Sequence, residues 1–490
     1  MTIFDATVIG AGPAGAAAAR LLASWGHRVA LIGRPPRQRS LAESLPPSCA
    51  KLFEQLGVQG EIDDAGFIRA TGNTVCWAGQ DRRVERFDGS LTGYQVPRDA
   101  FDGLLIASAE RAGARVMLDA TARDSVRQGA EWRVSFDSAS GSEEISSRWL
   151  LDASGRAGVI ARRGFRKPEF VARTTALVGV WESKTPWPTE DDTHTLVESY
   201  AGGWAWSVPV SACQRFVTVM VDPSLTELGG RSKLGERYVA ELERTTMLRE
   251  LVGAATMIGD PWACDASPYS ASRSFDDGVV LVGDAASFVD PLSSFGVKKA
   301  LASAWLGSIA VHTALLDPAM RTHALELFDS REREMYERLQ RQSALLSQEA
   351  AGAHVGAFWN GRADTATDLA PDQLDVSALR SDPRVLAAFD ALKQRDSIQL
   401  CVGSAVRFVT RAMVRGHRVV LEDFLVGSGI PEPVRYCRNV DLVLIARIAG
   451  QHDQVPDLFD AYNRLAPPAP LPDFLGALSV LVGLEILSFA

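Results

Sequence analysis

The sequence predicts an α/β fold of several domains, with an opening strand–helix–strand unit, an antiparallel sheet and a mostly helical C-terminal region. Three observations favour this fold. A glycine-rich turn near the N-terminus separates a short apolar run from an alanine-rich stretch. Four runs rich in β-branched and aromatic residues follow one another between about residues 175 and 222. The chain has 490 residues, which is too many for one hydrophobic core.

The N-terminal segment predicts a strand, a helix and a second strand. Residues 5–10 form an apolar run that is typical of a buried parallel strand. The stretch 13–25 is rich in Ala and Leu and predicts a helix, which Gly26 ends. A second buried strand is expected at 28–32. Further strand-like runs lie at 115–118, 132–136 and 149–152.

The middle of the chain predicts a largely antiparallel sheet. Its four runs, each bounded by turn residues, are 177–182, 195–200, 204–210 and 216–222. A helix is expected at 233–252. Another apolar strand at 279–282 leads to a long helix at 297–316.

The C-terminal part predicts mainly helices. A charged helix is expected at 331–348, and a stretch rich in Asp, Pro and Thr at 363–385 marks a boundary. The region 385–465 combines helices with a strand pair at 405–410 and 418–421. A proline-rich linker, 465–473, leads to an apolar helix at 474–490. That helix is shorter than the roughly 20 apolar residues of a membrane span, so we expect a buried or lid-like helix.

Composition excludes several classes of function. Lys plus Arg number 51 and Asp plus Glu 60, and this net charge of −9 argues against a nucleic-acid-binding surface. The six Cys and seven His form no C-x-x-C pair and no H-E-x-x-H motif, so neither a structural metal site nor a zinc hydrolase is expected. The first residues lead directly into a strand, without a signal-peptide pattern, and we expect a cytoplasmic protein that does not bind membranes.

The glycine-rich turn at 10–15 reads G-A-G-P-A-G and predicts a dinucleotide-binding site. The first glycine allows a tight turn, the second lets a pyrophosphate approach the backbone, and the third lets helix and strand pack closely. The predicted contacts are Gly10, Gly12, Pro13, Ala14 and Gly15. The acidic residue that usually follows the second strand is replaced by Gly33 and Arg34, so we expect Arg34 to stack on the adenine or reach a phosphate. A structural turn without a ligand is the alternative.

A second motif, Gly283-Asp284-Ala285-Ala286, follows an apolar strand. Together with the first motif it resembles the two flavin fingerprints of the glutathione-reductase-like FAD fold of aromatic hydroxylases. The resemblance implies that the cofactor is FAD rather than NAD. It also implies that Gly283 and Asp284 contact the cofactor, with the aspartate holding the ribityl chain.

Further motifs resemble those of flavin-dependent halogenases. The segments are A-E-S-L-P-P at 42–47, Y-Q-V-P-R at 94–98, D-A-S-G-R at 152–156, W-A-W-S-V-P at 204–209 and D-P-L-S-S-F-G at 290–296. The last resembles the loop before the helix that lies against the isoalloxazine ring. The resemblance implies these cofactor contacts: Glu43, Ser44, Arg98, Asp152, Gly155, Gly296 and Val297. It implies these catalytic residues: Trp204, Trp206, Pro291, Ser293, Ser294 and Gly296.

One position departs from the halogenase pattern. Halogenases carry a lysine in G-F-x-x-K-x-G, whereas residues 66–72 read G-F-I-R-A-T-G, with Ala70 in place of the lysine. Arg69 is no substitute, because a guanidinium forms no chloramine. The glutamate of tryptophan halogenases is replaced by Ser293 or Ser294.

The resemblance without the lysine therefore implies an FAD-dependent monooxygenase. It would hydroxylate an indole, a phenol, or a peptide- or carrier-bound aromatic group through a flavin hydroperoxide, with dioxygen as co-substrate. Electrons would come from a flavin reductase or from NAD(P)H. We expect backbone N–H groups of 291–296 to face the flavin, and Trp77, Trp204 and Trp206 to line the route to the substrate. Core packing is the alternative for Trp204 and Trp206. His194 could act as a base and His354 could line the mouth of a pocket, and a surface or packed histidine is the alternative for each.

Three alternatives stay open. The chain could be a halogenase whose lysine lies elsewhere, with Lys51 as the nearest candidate, or an FAD-dependent reductase or oxidase, or a non-enzymatic FAD-binding partner protein. The predicted domains are a discontinuous FAD-binding domain at 1–175 and 270–320, an antiparallel-sheet substrate domain at 176–269, and a C-terminal region at 321–490. Within that region, 385–465 is similar to winged-helix peptide-binding modules, and its role is either docking or closing the pocket.

Overall fold

A computed structural model describes residues 3–34, 41–166, 173–226, 233–293, 295–363, 379 and 382–490. The chain divides into two compact units, Met1–Ala370 and Pro371–Ala490. Helices of the first unit are α1 (Pro13–Ser24), α2 (Ala50–Leu56), α3 (Gln59–Asp64), α4 (Arg98–Arg111), α5 (Leu234–Leu242), α6 (Met247–Val252), α7 (Gly296–Leu316), α8 (Arg321–Ala353) and α9 (Ala357–Ala363).

Strands of the first unit up to residue 152 are β1 (Ile3–Ile9), β2 (Val29–Ile32), β3 (Ala42–Leu45), β4 (Ile68–Ala70), β5 (Gly72–Cys76), β6 (Arg83–Arg86), β7 (Gly93–Pro97), β8 (Arg115–Met117), β9 (Thr121–Gln128), β10 (Glu131–Ser138) and β11 (Gly141–Asp152). Those that follow are β12 (Thr175–Glu182), β13 (Thr195–Tyr200), β14 (Gly203–Pro209), β15 (Gln214–Val221), β16 (Thr256–Met257), β17 (Trp262–Asp265), β18 (Tyr269–Ser270), β19 (Phe275–Asp276), β20 (Val279–Leu281) and β21 (Ser287–Phe288).

The opening unit builds a parallel sheet, as predicted. Its parallel strands run in the order β8–β2–β1–β11–β20. β19 pairs antiparallel with β20, and β9 and β10 extend from β11 as an antiparallel ribbon. Because β1 and β2 are buried along almost their whole length, they are apolar runs rather than alternating ones. Helix α1 connects them and packs against α4 and α7.

A second sheet has the order β16–β12–β15–β14–β13–β5–β6, with β17 also paired to β12. The four predicted strands are present as β12 to β15 and pair antiparallel. The sheet also recruits β5 and β6 from far upstream, and β5 pairs parallel with β13. The sheet is therefore mostly antiparallel and draws on two distant parts of the chain.

The predicted helix at 233–252 is wrong in one respect, because the segment forms two helices, α5 and α6. The second helix begins separately because a side chain from a distant strand caps its N-terminus. The Glu198 carboxylate on β13 accepts hydrogen bonds from the backbone N–H of Thr246 at 2.6 Å and of Leu248 at 3.0 Å. These are donors that a helix start leaves free, so the carboxylate fixes a new start at α6.

Helix α7 forms part of the core of the first unit. Among the described residues it is the one helix long and apolar enough to cross a membrane. However, 72% of its most apolar 18-residue window is buried inside the protein. Its apolar character is that of a core helix, covered by the elements around it.

The second unit combines helices with small sheets. Its elements are α10 (Pro383–Lys393), β22 (Leu400–Val402), β23 (Arg407–Arg415), β24 (Arg418–Gly427), β25 (Ile430–Val434), β26 (Tyr436–Cys437), β27 (Val440–Asp441), α11 (Leu442–Ile448), α12 (Val455–Leu465), α13 (Leu471–Gly483) and β28 (Leu487–Phe489). The predicted strand pair is present as β23 and β24, and β25 adds a third strand. Its role in docking stays a prediction.

The predicted apolar helix at 474–490 is wrong at its end. Helix α13 stops at Gly483, and Glu485 adopts a left-handed φ of 60°, which turns the chain. The last residues then form β28, which pairs antiparallel with β22. The linker is also shorter than predicted, since α12 ends at Leu465 and α13 begins at Leu471.

Phe474 tests the core of the second unit. It is fully buried, with ring centroids 5.1 Å from Phe459 and 5.4 Å from Tyr462. Phe474→Ala should lower the free energy of unfolding of this unit by about 3–5 kcal/mol, because it leaves a cavity. Chemical denaturation measures this. Phe408→Ala is the control: that side chain is 40% exposed and its loss should cost far less. Equal losses for both variants would contradict the core described here.

Candidate active site

A cavity of about 400 Å³ opens at the carboxyl ends of β1, β2 and β11, where parallel α/β sheets bind their ligands. The lining residues are 9–14, 32–34, Arg98, Asp102, 120–122, 153–155, Ala157, Val159, Asp284 and Ala300. The cavity therefore joins the two predicted fingerprints with the segment that begins at Arg98.

The glycine turn forms one wall of the cavity. Gly10 has φ 110°, and a Cβ there would lie 2.3 Å from the Ala153 carbonyl oxygen. A Cβ on Gly15 would lie 1.8 Å from the Gly10 carbonyl oxygen, so this glycine lies behind the cavity and lets helix and strand pack. Gly12 precedes Pro13, the first residue of α1, and the N-terminus of α1 is suited to bind phosphate. This cradle fits a pyrophosphate.

Arg34 lies on the exposed rim of the cavity. Its Nε donates to the Thr121 hydroxyl at 3.1 Å, which holds the guanidinium beside the start of β9. Residues 120–122 line this side of the cavity and were not predicted, because nothing in their sequence marks them. Arg34 and Thr121 thus stand where an acidic residue usually receives the ribose.

Arg98 joins two carboxylates at the cavity wall. Its Nε and Nη2 donate to both oxygens of Asp102 at 2.9 Å, and its Nη1 lies 3.3 Å from Glu43 Oε1. Burial alone would lower the pKa of Arg98, but Asp102 and Glu43 raise it above its usual value. Arg98 is therefore a fixed cation facing the cavity. Glu43 and its neighbour Ser44 lie on β3, outside the lining, and Glu43 acts by holding Arg98.

Asp152, a predicted cofactor contact, does not reach the cavity lining. It is fully buried. One carboxylate oxygen accepts from the Ser154 N–H at 3.0 Å, and the other from Ile160 and Ala161 N–H at 2.8 and 2.9 Å. Backbone donors thus satisfy both oxygens, and the residue shapes the loop that presents Gly155 to the cavity.

Asp284 lines the cavity. Its contact with the ribityl chain stays a prediction. Burial raises the pKa of its carboxyl, and Lys299 and Arg98 oppose that shift. Gly283, just behind it, has φ 63°, and a Cβ there would lie 2.8 Å from Ala14 Cβ. The close approach explains why glycine stands at this position.

The loop at 290–296 leads into α7. Pro291 begins a short 3₁₀ turn, and the N–H of Leu292 donates to Asp290 Oδ1 at 3.0 Å. Gly296 is the exposed first residue of α7, followed by the buried Val297. Ser294 and the side chain of Ser293 lie outside the described residues. The catalytic roles of this loop stay predictions.

Trp204 and Trp206 stack with ring centroids 4.8 Å apart, since alternate residues of β14 point to the same face. Trp204 is buried, whereas Trp206 is partly exposed. Leu292 from the 290–296 loop packs against the same aromatic cluster. The cluster therefore extends from the antiparallel sheet to the loop predicted to face the flavin.

Trp77 lies deeper in this cluster than predicted. It is 3% exposed, and its indole N–H donates to the Leu346 carbonyl at 3.1 Å. Trp359, which no motif marks, packs edge-on against Trp77 at 5.4 Å. His354 stacks on Trp359 and shares a hydrogen bond of 2.9 Å with Ser199. These contacts favour core packing for Trp77 and His354.

Position 70 lies on a three-stranded sheet that unites three of the motifs. β7 pairs with β3 on one side, where Ala42 lies opposite Pro97, and with β4 on the other, where Ala70 lies opposite Gly93. Ala70 has no exposed surface. The fold thus brings the position of the missing lysine onto the same small sheet as the strand that carries Glu43.

A buried polar network follows immediately after Ala70. The Thr71 hydroxyl donates to Asp191 at 2.8 Å, and the two ring nitrogens of His194 lie 3.1 Å from the Thr71 hydroxyl and 3.0 Å from the Thr74 hydroxyl. Burial lowers the pKa of His194. Burial would raise the pKa of Asp191, but hydrogen bonds from Thr193 and Thr71 hold it below its usual value. His194 is therefore a packed neutral histidine, the alternative to a general base.

The comparisons with known proteins agree with this geometry. Residues 4–306 match the model of the FAD binding domain family. The chain belongs to the FAD binding domain family. Within it the chain lies in the halogenase-like branch, its fold is the FAD-binding α/β fold, and its cofactor is FAD.

The tryptophan 2-halogenase of Chondromyces crocatus is 30% identical over 337 residues, which cover 66% of this chain and 63% of that protein. The match thus spans a little under two thirds of that relative. Among solved structures, the flavin-dependent halogenase CmlS has a TM-score of 0.78 at 20% identity, covering 100% of this chain and 96% of that one. The peptidyl tryptophan dihydroxylase QhpG has a TM-score of 0.67 at 22% identity, with 94% and 95% covered.

Gly15 tests the cradle. Gly15→Ala should weaken FAD binding about ten- to hundredfold, because its Cβ would overlap the Gly10 carbonyl oxygen and overpacking costs ~1–3 kcal/mol. Titration of the apoprotein with FAD measures this. The control is Gly60→Ala on α3, where a Cβ meets no atom within 4 Å and affinity should be unchanged. Unaltered FAD affinity in Gly15→Ala would contradict the cradle.

His194 tests the buried network. A neutral buried histidine binds its proton only on unfolding, so the unfolded state takes up more protons and stability falls as pH drops below about 6.5. His194→Gln should make the free energy of unfolding depend less steeply on pH in this range, by at most about 1.4 kcal/mol per pH unit. Thermal melts between pH 7.5 and 5 measure the slope. His323→Gln, on an exposed position of α8, is the matched control and should leave it unchanged.

Proposed function

We propose that the protein is an FAD-dependent monooxygenase that hydroxylates an aromatic substrate. The observation that carries this proposal is the buried alanine at position 70 on β4, which stands where the halogenase motif G-F-x-x-K-x-G has its lysine. Transfer of halogen to a lysine needs a free amine within reach of the substrate. Direct oxygen transfer needs no such group and uses the same cofactor site.

The environments of Lys51 and Lys299 support this proposal. Lys51 is exposed on α2. Lys299 is 2% exposed, and its ammonium donates to the carbonyl oxygens of Gly283 and Ser287 at 3.1 and 2.6 Å. A lysine engaged in this way presents no free amine to a substrate.

A halogenase is the second candidate, and Lys298 is the observation that favours it. This side chain is partly buried, its Nζ lies 4.8 Å from the centre of the Phe295 ring and donates to the Ser48 hydroxyl at 2.7 Å. Burial lowers the pKa of Lys298, which increases the share of neutral amine, the form that can capture halogen. Lys298→Met separates the candidates, because only a halogenase would lose halogen transfer through it.

In the proposed reaction the chain's residues bind, orient and exclude water. When bound and reduced, FAD supplies the electrons that activate dioxygen. The glycine turn and Arg98 hold the anionic part of the cofactor. The N-terminus of α7 is the positive end of a helix dipole, and it is suited to favour negative charge on the cofactor. Trp206, which is partly exposed and stacks on the buried Trp204, provides an apolar aromatic wall against which an electron-rich ring can stack.

The substrate class is proposed from this wall and from the relatives. The names of two similar proteins specify tryptophan, one of them peptidyl tryptophan. We therefore propose an indole, free or within a peptide, ahead of a phenol or a carrier-bound ring. The electron donor is proposed to be a separate flavin reductase or NAD(P)H.

The experiment supplies the protein with FAD, NADH and a flavin reductase under ¹⁸O₂, with and without bromide. The probes are free tryptophan, a short capped tryptophan peptide and phenol, and mass spectrometry reads the products. The proposal predicts one ¹⁸O atom in the product and no effect of bromide on its mass. A brominated product would contradict it, as would a product that lacks ¹⁸O.

Position 70 gives a second prediction. Ala70→Lys should lower the free energy of unfolding by several kcal/mol (~3–5), because it buries an ammonium at a site with no exposed surface. Chemical denaturation measures this, and Arg69→Lys at the neighbouring exposed position is the control. A fully stable Ala70→Lys that also gains halogen transfer would instead show that the position opens onto the substrate.

A further inference from the structure

Helix α7 carries a buried lysine directly behind the second fingerprint. Lys299 is 2% exposed, and its ammonium donates to the carbonyl oxygens of Gly283 at 3.1 Å and Ser287 at 2.6 Å. These two carbonyls lie on either side of Asp284 in the chain. The lysine therefore ties down both ends of the turn from which Asp284 faces the cavity.

Ser303, one turn further along α7, forms a second contact with Gly283. Its hydroxyl accepts the Gly283 N–H at 2.8 Å, so α7 binds both backbone polar groups of that glycine. Gly283 has a left-handed φ of 63°, and these two bonds hold its backbone in that conformation. The Ser303 hydroxyl also hydrogen-bonds to the side chain of Glu332 on α8. Glu332 is 7% exposed.

Lys299 also contributes charge. A buried ammonium is costly unless it is paired, and Asp284 and Glu332 both lie within electrostatic reach of it. The cations that face Asp284 are Lys299 from α7, Arg98 from α4, and Arg156 and Arg166 beyond β11. The acidic groups that face it are Glu43 from β3, Tyr269 from β18 and Glu332 from α8.

We propose that Lys299 is a positioning residue for FAD, which fixes the Gly283–Ser287 turn and sets a positive charge behind Asp284, the acceptor for the cofactor's hydroxyl groups. The role has two parts, one geometric and one electrostatic. Ser303 shares only the geometric part, since it is neutral and binds the same glycine.

The two parts have different pH signatures. Burial raises the pKa of Asp284, and Lys299 is the largest of the charges that oppose the shift. A protonated Asp284 loses acceptor capacity, so FAD affinity falls as pH drops through this pKa. Removing the lysine charge raises the pKa further, and the fall in affinity then begins at a higher pH.

The experiment measures FAD affinity of the full-length apoprotein from pH 5 to 8.5, by quenching of flavin fluorescence. Lys299→Gln keeps an amide donor but removes the charge. It should move the midpoint of the pH dependence upward by about one unit, which corresponds to an affinity about tenfold weaker below that midpoint. Lys299→Arg should restore the wild-type midpoint. Ser303→Ala should weaken binding by a similar factor at every pH, with its midpoint unmoved.

If Lys299→Gln weakened FAD binding by the same factor at every pH, as expected for Ser303→Ala, the electrostatic role would be overturned. Unchanged affinity at all pH values would overturn the positioning role as well. If Lys299→Gln does not fold, as judged by thermal melts of the apoprotein, Lys299→Met provides the neutral variant. Failure of Lys299→Arg to restore the midpoint would also contradict the proposal.

Discussion

The close approach of three backbone segments is the constraint on which the site depends. The Gly10–Gly15 turn lies against Ala153 on one side and, through Ala14, against Gly283 on the other. A side chain at Gly10, Gly15 or Gly283 would clash with a neighbouring segment. Because they touch, the N-terminus of α1, the loop after β11 and the second fingerprint surround one cavity. Cofactor binding, and every function that depends on it, follows from this contact.

Charge is arranged around that contact in two layers. Arg98 lies at the cavity wall, fixed by Asp102 and Glu43, and Lys299 lies behind Asp284. Both cations are anchored by protein groups, so they act as fixed charges that need no rearrangement when an anionic cofactor arrives. The small sheet that links β3, β7 and β4 then connects this charged side to position 70.

Local features were predictable from the sequence, and contacts between distant elements were not. The glycine turn and its strand–helix–strand setting were predicted because their spacing is enforced within a few residues. The hydrogen bonds of Asp152 to the backbone N–H groups of Ile160 and Ala161 were not predictable, because any sequence provides such donors. The break between α5 and α6 was missed because its cap, Glu198, comes from a distant strand. Lys299 was missed because in sequence it resembles any polar residue of a helix.

The proposed monooxygenase activity requires that no amine of this protein captures halogen. The most direct measurement reacts the reduced, FAD-loaded protein with dioxygen and bromide, removes small molecules by rapid desalting, and titrates oxidising equivalents on the protein with a thiol. A monooxygenase should carry no more oxidising equivalents than the same protein in a bromide-free control. A stoichiometric, thiol-reducible equivalent that disappears in Lys298→Met would contradict it.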